Sequence, residues 1–152
     1  MHIVLVEPEI PANTGNIART CAATGSVLHL VRPLGFSTDD KYLKRAGLDY
    51  WYLVEIHYHD SFAELERLYP GRRFFFLSTR GEKIYTEVRY GPDDFLVFGR
   101  ETRGLPAALL QANRDRCFRI PMVAGARSLN LANTVALVLY EALRQQGFPG
   151  LR

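Results

Sequence analysis

The sequence predicts an α/β fold: one domain, residues 1–152, with a mostly parallel sheet covered by helices on both faces. Short apolar runs typical of buried strands alternate along the chain with segments of helical periodicity. Glycine, proline and other turn residues separate these segments. The length of 152 residues and the hydrophobic content of 47% are typical of a single globular domain.

The beginning of the chain predicts two strands joined by a helix. Residues 2–7 form an apolar run that suits a buried strand. A helix is predicted over about 15–24, with Asn13 or Thr14 as its N-cap because their side chains can accept from a free backbone N–H. A second strand follows at 27–31.

The middle of the chain continues the alternation. A charged helix is predicted at 38–46, and a third strand at 53–56. Ser61 is a suitable N-cap for an amphipathic helix that runs through Leu68. The run 73–77, with three consecutive phenylalanines, predicts a strand buried on both faces.

The segment between the second and third strands is basic and aromatic, and it has two interpretations. Lys41, Lys44 and Arg45 precede the aromatic run Tyr50, Trp51 and Tyr52. Basic and aromatic residues together can bind and stack on RNA. A half-buried aromatic cluster explains the same residues equally well.

The last part of the chain predicts two more strands and two helices. A strand at 95–99 is followed by a short helix that starts near Pro106, a residue favoured in a first helical turn, and runs to about Gln111. The final strand is predicted at 117–120, and a long helix begins after residue 128.

The long final helix has more apolar surface than one core contact needs. Ser128 is predicted as its N-cap and Gly147 as its left-handed C-terminal residue. Leu137 and Tyr140 lie outside the main apolar face, so we expect a second copy of the chain to cover them in a homodimer. The main face consists of residues at helical spacing: Leu129, Leu131, Ala132, Val135, Val138, Leu139, Ala142 and Leu143.

Charge and cysteine content limit the possible classes of protein. The net charge of +3 and the pI near 9.0 permit a nucleic-acid partner without requiring one. Cys21 and Cys117 lie inside predicted elements, which favours packed, reduced thiols. His57-x-His59 is too weak a pattern to predict a metal site. With no apolar run long enough to span a bilayer and no signal peptide, we expect a cytoplasmic protein without a membrane partner.

Three predicted strands end in polar or glycine-containing loops: 77–79, 99–104 and 120–128. Ligands of open α/β sheets bind outside the carboxyl ends of the strands, so these loops together predict the binding pocket. Glu101 and Arg103 place opposite charges in one of them. The chain has no G-x-G-x-x-G, no P-loop and no G-x-S-x-G motif, which disfavours standard dinucleotide, nucleotide and hydrolase sites.

Three segments of this sequence resemble, in order and separation, the three motifs of the SpoU branch of the SPOUT methyltransferases. They are Asn13-x-Gly15-Asn16-Ile17-x-Arg19, Phe98-Gly99-x-Glu101-x-x-Gly104-Leu105, and Ile120-Pro121-Met122 with Ser128-Leu129-Asn130. Three segments, two of which overlap these motifs, are most similar to the small tRNA (cytidine/uridine-34) 2′-O-methyltransferases of that branch. They are Glu7-Pro8-Glu9-Ile10-Pro11-x-Asn13-Thr14-Gly15-Asn16, Arg45-Ala46-Gly47-Leu48-Asp49-Tyr50 and Phe98-Gly99-x-Glu101-Thr102-Arg103-Gly104-Leu105-Pro106.

This resemblance implies a deep trefoil knot in the C-terminal half, an exception to the general rule against threaded chains. It also implies S-adenosylmethionine as cofactor, an obligate homodimer without a metal, and tRNA as substrate, bound by its anticodon stem-loop. The implied reaction is 2′-O-methylation of the ribose of wobble nucleotide 34, a cytidine or uridine, in leucine tRNAs.

The resemblance also implies roles for individual residues. The implied cofactor contacts are Leu77, Gly99, Gly104, Ile120, Met122, Ser128 and Leu129. The implied catalytic residues are Arg19, Glu101, Ser128 and Asn130. The implied substrate contacts are Asn13, Arg19, Arg103 and Arg127.

Three alternatives remain at this point. The enzyme could methylate the ribose of another tRNA or rRNA nucleotide, because the motifs define the reaction better than its position. A non-catalytic RNA-binding dimer could have the same fold. A metabolite-binding α/β protein would explain the pocket and would leave Arg19 without a role.

Overall fold

The computed structural model describes residues 1–47 and 50–152, and its strands form one seven-stranded sheet. The strand order is β3-β2-β1-β6-β4-β7-β5, and all six pairings are parallel. The prediction of a mostly parallel sheet is therefore confirmed. The strands are β1 (His2–Val6), β2 (Val27–Val31), β3 (Ile56–His59), β4 (Phe74–Leu77), β5 (Lys83–Ile84), β6 (Phe95–Phe98) and β7 (Cys117–Arg119).

Helices cover both faces of this sheet, as predicted. They are α1 (Pro11–Thr24), α2 (Lys41–Gly47), α3 (Phe62–Leu68), α4 (Ala107–Ala112) and α5 (Leu131–Gln145). One apolar core lies between the sheet and helices α1 and α5, with Ile17 and Leu139 fully buried in it. A second core lies on the opposite face, where Leu65 of α3 is fully buried. None of the helices in the described ranges is long and apolar enough to cross a membrane.

The predicted starts of the first and last helices are wrong. Helix α1 begins at Pro11 rather than near residue 15, and its N-cap position is Ile10 without a side-chain cap. Proline suits this first position because the missing N–H would have no helical partner there. Helix α5 begins at Leu131, and its N-cap is Asn130, whose side chain accepts from the backbone N–H of Asn133, rather than Ser128.

Two elements in the middle of the chain also differ from the prediction. The third strand is Ile56–His59 rather than 53–56, because pairing with β2 begins at Ile56 and the preceding Trp51–Leu53 forms a 3₁₀ turn. The short strand β5 was not predicted. The predicted helix 38–46 begins at Lys41, and Leu48 and Asp49 of the quoted segment lie outside the described residues.

Several local predictions are confirmed. Ser61 accepts a hydrogen bond from the backbone N–H of Glu64 at the start of α3. Gly147 has a left-handed φ of 76° after α5. Cys21 and Cys117 are both free and buried, and burial raises the pKa of the Cys21 thiol to about 12, which keeps it protonated and unreactive.

Three histidines on neighbouring strands form a hydrogen-bonded row, which we call the histidine ladder (His2, His29 and His59). His2 Nδ1 lies 2.9 Å from His29 Nε2, and His29 Nδ1 lies 2.9 Å from His59 Nε2. Burial, reinforced by the positive N-terminus, lowers the pKa of His2 to about 4. Burial, together with the neighbouring histidines, lowers the pKa of His29 to about 3, and burial also lowers that of His59. The ladder is therefore neutral at pH 7.

Acidification is expected to destabilise the fold through this ladder. The folded pKa of each histidine lies below the unfolded value of 6.5, so the unfolded chain binds more protons. The stabilising contribution is complete above pH 6.5 and is lost as the pH falls from there toward the folded values. For the fully buried His29 the loss is about 1.4 kcal/mol per pH unit. Urea unfolding at pH 7.5 and pH 5.5 measures it.

Two variants assign this pH dependence to the ladder. His29→Leu removes the most buried imidazole, so we expect a smaller change in unfolding free energy between the two pH values than in the wild type. His57→Gln removes one of the neighbouring histidines that lower the pKa of His29, so it should reduce the pH dependence less than His29→Leu does. An unaltered pH dependence in His29→Leu would contradict the assignment.

Candidate functional site

The three loops predicted to form the pocket converge on one cleft of about 590 Å³ at the carboxyl ends of β4, β6 and β7. Its lining includes Leu77 from the first loop, Gly99, Glu101, Arg103 and Gly104 from the second, and Ile120, Met122, Arg127, Ser128, Leu129 and Asn130 from the third. Asn13, in the first turn of α1, completes this wall. A volume of this size is typical of small-molecule and cofactor sites.

The loop 99–104 is closed on itself. The backbone of Arg100 pairs with that of Gly104 through two hydrogen bonds of 2.9 and 3.2 Å. A Cβ at position 99 would lie 2.1 Å from the carbonyl carbon of Gly104, so only glycine fits there. The motif resemblance implies a glycine here as a cofactor contact. The structure adds a different reason, which is the closure of the loop itself.

Glu101 connects this loop to the start of α1. Its Oε1 accepts from the backbone N–H of Glu9 at 2.9 Å, and its Oε2 accepts from the backbone N–H of Ile10 at 2.7 Å and from Asn13 Nδ2 at 3.2 Å. The carboxylate thus binds the last two backbone N–H groups before α1 and the side chain of Asn13 in its first turn, where a negative charge is favourable at the helix N-terminus. In one protomer, Glu101 acts as an organising residue of the cleft.

The same hydrogen-bond network reaches the start of α5. Asn130 Nδ2 donates to Asn13 Oδ1 at 3.1 Å, while Asn130 Oδ1 caps α5 by accepting from the backbone N–H of Asn133. One connected network of Glu101, Asn13 and Asn130 therefore joins the loop 99–104 to the N-termini of two helices. These are three of the residues that the sequence predicts for the site.

Further contacts around Glu101 were not predicted from the sequence. Thr102 Oγ1 donates to Glu9 Oε1 at 2.6 Å, and Arg100 Nη2 donates to Glu7 Oε1 at 2.9 Å. The hydrogen bonds from Thr102 hold the pKa of Glu9 below its ordinary value. The sequence signal for these contacts was the pair of acidic residues directly after a strand, Glu7 and Glu9. Their partners lie 93 residues away in the chain, so a local pattern could not identify them.

The remaining predicted residues divide into an apolar wall and a polar edge. Leu77 is buried, Ile120 and Met122 are half-buried, and Leu129 is 46% exposed. The side chains of Arg103, Arg127 and Ser128 are exposed at the edge of the cleft. Such an arrangement can enclose an apolar ring and leave cationic groups facing a polyanion.

Arg19 is the one predicted site residue that the structure does not place in this cleft. It lies six residues after Asn13 on α1, about 9 Å farther along the helix axis and rotated by about 240°. Its side chain is exposed, and its guanidinium carbon lies 4.7 Å from the ring centroid of Tyr50. The cleft of a single protomer is therefore formed without Arg19.

A metal centre has no support in the described part of the chain. Across residues 1–47 and 50–152, no group of three or more histidine, cysteine, aspartate or glutamate side chains is arranged to hold a metal ion.

Comparison with known proteins identifies relatives over the whole chain. The model of the SpoU rRNA methylase family matches residues 1–140. A relative from Bacillus subtilis is 59% identical over 100% of this chain and 97% of its own length, and is provisionally named tRNA (cytidine(34)-2′-O)-methyltransferase. The Escherichia coli K12 protein bears that name without qualification and is 52% identical over 99% of this chain and 96% of its own length.

Solved structures agree with this chain in fold. A structure described as giving insights into the 2′-OH methylation of C/U34 on tRNA superposes with a TM-score of 0.92 at 51% identity, covering 96% of this chain and 95% of that one. The SpoU methyltransferase AviRb from Streptomyces viridochromogenes, solved with the cofactor AdoMet, has a TM-score of 0.85 at 25% identity. It covers 100% of this chain and 59% of that protein.

Proposed function

Because the chain belongs to the SpoU rRNA methylase family, we propose that it methylates the ribose 2′-hydroxyl of nucleotide 34 in tRNA with S-adenosylmethionine as donor. The observation that carries this proposal is the cleft at three strand ends, in a chain at least half identical over its full length to proteins named for that reaction. The substrate nucleotide is a cytidine or uridine, and the proposed tRNAs are the leucine isoacceptors.

The residues of the cleft fit S-adenosylmethionine. Leu77, Ile120, Met122 and Leu129 offer apolar surface for the adenine ring, and the backbone at Gly99 and Gly104 lies in the same wall. Ser128 adds a hydroxyl that can donate or accept a hydrogen bond. When bound, the cofactor supplies an electrophilic methyl group on a sulfonium.

The proposed task of the protein residues is to position the acceptor and to stabilise charge on it. Holding the ribose oxygen in line with the methyl group removes much of the barrier. A guanidinium remains protonated in proteins, so Arg19 is proposed to donate hydrogen bonds to the developing oxyanion or the adjacent phosphate. Glu101, Asn13 and Asn130 hold the cleft in shape through their hydrogen-bond network.

The proposed homodimer brings Arg19 to a cleft. Arg19 lies outside the cleft of its own protomer, and apolar side chains remain exposed on α5, with Leu137 at 41% and Tyr140 at 44%. Burying these side chains against a second copy would remove apolar surface from water. We propose that Arg19 of one protomer serves the cleft of its partner, and that Arg103 and Arg127 contact phosphates of the anticodon stem-loop.

We further propose that residues 1–152 form one methyltransferase domain, with the trefoil knot of the family in its C-terminal half. The match of the family model to residues 1–140 supports this proposal. The two free cysteines support a reducing compartment, so we propose the cytoplasm.

Incubating the purified protein with methyl-labelled S-adenosylmethionine and total tRNA tests the function. We expect label on the ribose of nucleotide 34 of leucine tRNAs, located by mass mapping of nuclease fragments. A synthetic anticodon stem-loop with 2′-deoxyribose at position 34 is the matched control and should accept no methyl group. Label on a base, on another nucleotide, or on no tRNA would refute the proposal.

A further inference from the structure

The guanidinium of Arg19 is held by one aromatic ring. Its carbon lies 4.7 Å from the centroid of the Tyr50 ring, within the range of a cation–π contact. Across residues 1–47 and 50–152, the side chain of Arg19 forms no hydrogen bond or salt bridge with another side chain or with the backbone. Stacking uses the face of the guanidinium and leaves its five N–H donors, which point outward in its plane, available.

Other arginines of the chain donate hydrogen bonds to groups within the protein. Arg100 donates to Glu7, Arg73 to Asp94 with distances of 2.6 and 2.9 Å, and Arg119 to the carbonyl of Gly81 at 3.1 Å. Those hydrogen bonds give Arg100, Arg73 and Arg119 a structural role. The contact at Arg19 holds the cation in place, and no residue of 1–47 and 50–152 occupies its donors, which can bind an anionic group from outside.

Tyr50 is itself anchored by the elements on both sides of it. Helix α2 packs along α1, with Leu43 fully buried. The 3₁₀ turn that follows Tyr50 begins with Trp51, which packs against the core beneath α1, and the backbone N–H of Leu53 donates to the carbonyl of Tyr50 at 2.9 Å. Tyr50 is half-buried, whereas Tyr52 is 79% exposed. The backbone of Tyr50 is therefore hydrogen-bonded into the 3₁₀ turn, and its ring under Arg19 is half-buried.

We propose that Tyr50 is a positioning residue for methyl transfer, which holds the guanidinium of Arg19 with its N–H donors directed toward the RNA acceptor. This inference rests on the proposed function. It deepens that function by giving a role to the aromatic run 50–52. From the sequence alone, RNA stacking and packing explained this run equally well. Tyr50 acts through Arg19 and needs no contact with RNA.

Replacing the ring separates this role from simple packing. Tyr50→Phe keeps the aromatic face and should retain the wild-type kcat. Tyr50→Leu keeps apolar bulk without the face, and we expect kcat to fall roughly 3- to 30-fold, the range that a cation–π contact supports. The dissociation constant of S-adenosylmethionine should not change in either variant, because the cleft does not include Tyr50. Single-turnover rates on tRNA and calorimetry with the cofactor measure both quantities.

A matched control exists on β3, where the guanidinium carbon of Arg32 lies 5.2 Å from the ring centroid of Tyr58. Tyr58→Leu removes an equivalent arginine–tyrosine contact outside the cleft and should leave kcat unchanged. Circular dichroism confirms folding of each variant, and Tyr50→Met is the alternative non-aromatic replacement if Tyr50→Leu does not fold.

The outcomes distinguish this inference from the proposed function. Equal kcat in Tyr50→Leu and wild type, with Arg19→Ala inactive, would overturn the positioning role and leave the function intact. Equal losses in Tyr50→Phe and Tyr50→Leu, or a loss of cofactor affinity in either, would also overturn it, since a cation–π role predicts neither. Wild-type rates in Arg19→Ala would instead remove the assumption about Arg19 on which the inference rests.

Discussion

Replacing Arg19 with alanine is expected to lower kcat for tRNA methylation by at least about 100-fold, the scale seen when a donor to a developing oxyanion is removed. The affinity for S-adenosylmethionine should remain nearly intact, because the cleft of each protomer is formed without Arg19. Its side chain is exposed, so the free energy of unfolding should change by less than about 1 kcal/mol. The variant should therefore be folded, able to bind the cofactor, and nearly inactive.

Single-turnover kinetics with saturating cofactor and tRNA isolates the chemical step, and calorimetry gives the cofactor dissociation constant. Arg19→Lys is the matched control. It keeps the positive charge and loses the planar arrangement of donors, so an intermediate rate is expected. A near wild-type rate in Arg19→Ala would remove this residue from the chemistry.

The second large effect is expected from Glu101→Gln, which changes no more than one heavy atom. The carboxylate accepts from three N–H donors, and an amide would place its own N–H₂ against at least one of them. Losing a hydrogen bond to a charged group costs about 1.5–3 kcal/mol. Because the network continues through Asn13 to Asn130, we expect the start of α5 and the third cleft loop to shift as well.

The expected result is a decrease in unfolding free energy of about 2 kcal/mol and a loss of at least about tenfold in affinity for S-adenosylmethionine. Urea unfolding and calorimetry measure the two effects. Glu66→Gln, on the exposed face of α3, is the same chemical change outside the network and should alter neither. Wild-type cofactor affinity in Glu101→Gln would contradict the organising role of this carboxylate.

The central strands could be predicted from the sequence because a strand that is buried on both faces needs apolar residues at nearly every position. Strands β1, β4 and β6 are continuous apolar runs, and no other element of that length suits them. The two-residue strand β5 and the boundaries of β3 are decided by pairing with β7 and β2. That pairing depends on residues far away in the chain, so local patterns could not reveal it.

The site was predictable to a similar extent. The loops after three strands converge because carboxyl ends of parallel strands share one edge of the sheet. Asn13 is not a helix cap because α1 already begins at Pro11, and its side chain instead donates to Glu101, 88 residues away. Arg19 lies outside the cleft because it follows Asn13 by six residues on α1 and therefore lies on another side of the helix. The motifs identified the residues, and the coordinates showed how they are connected.

The histidine ladder has one consequence for the reaction itself. The chain contains four histidines, at positions 2, 29, 57 and 59, and none of them lines the cleft. Imidazole is the side chain that most readily exchanges a proton near neutrality. In the part of the chain that the structure describes, Glu101 is the only carboxylate lining the cleft, and it already accepts three hydrogen bonds. Among residues 1–47 and 50–152, the cleft therefore holds no side chain suited to act as a general base near neutral pH. In the proposed mechanism the proton of the ribose hydroxyl therefore passes to solvent, with its ionisation favoured by the positive charge of Arg19, and the pH–rate profile should follow that ionisation rather than an imidazole.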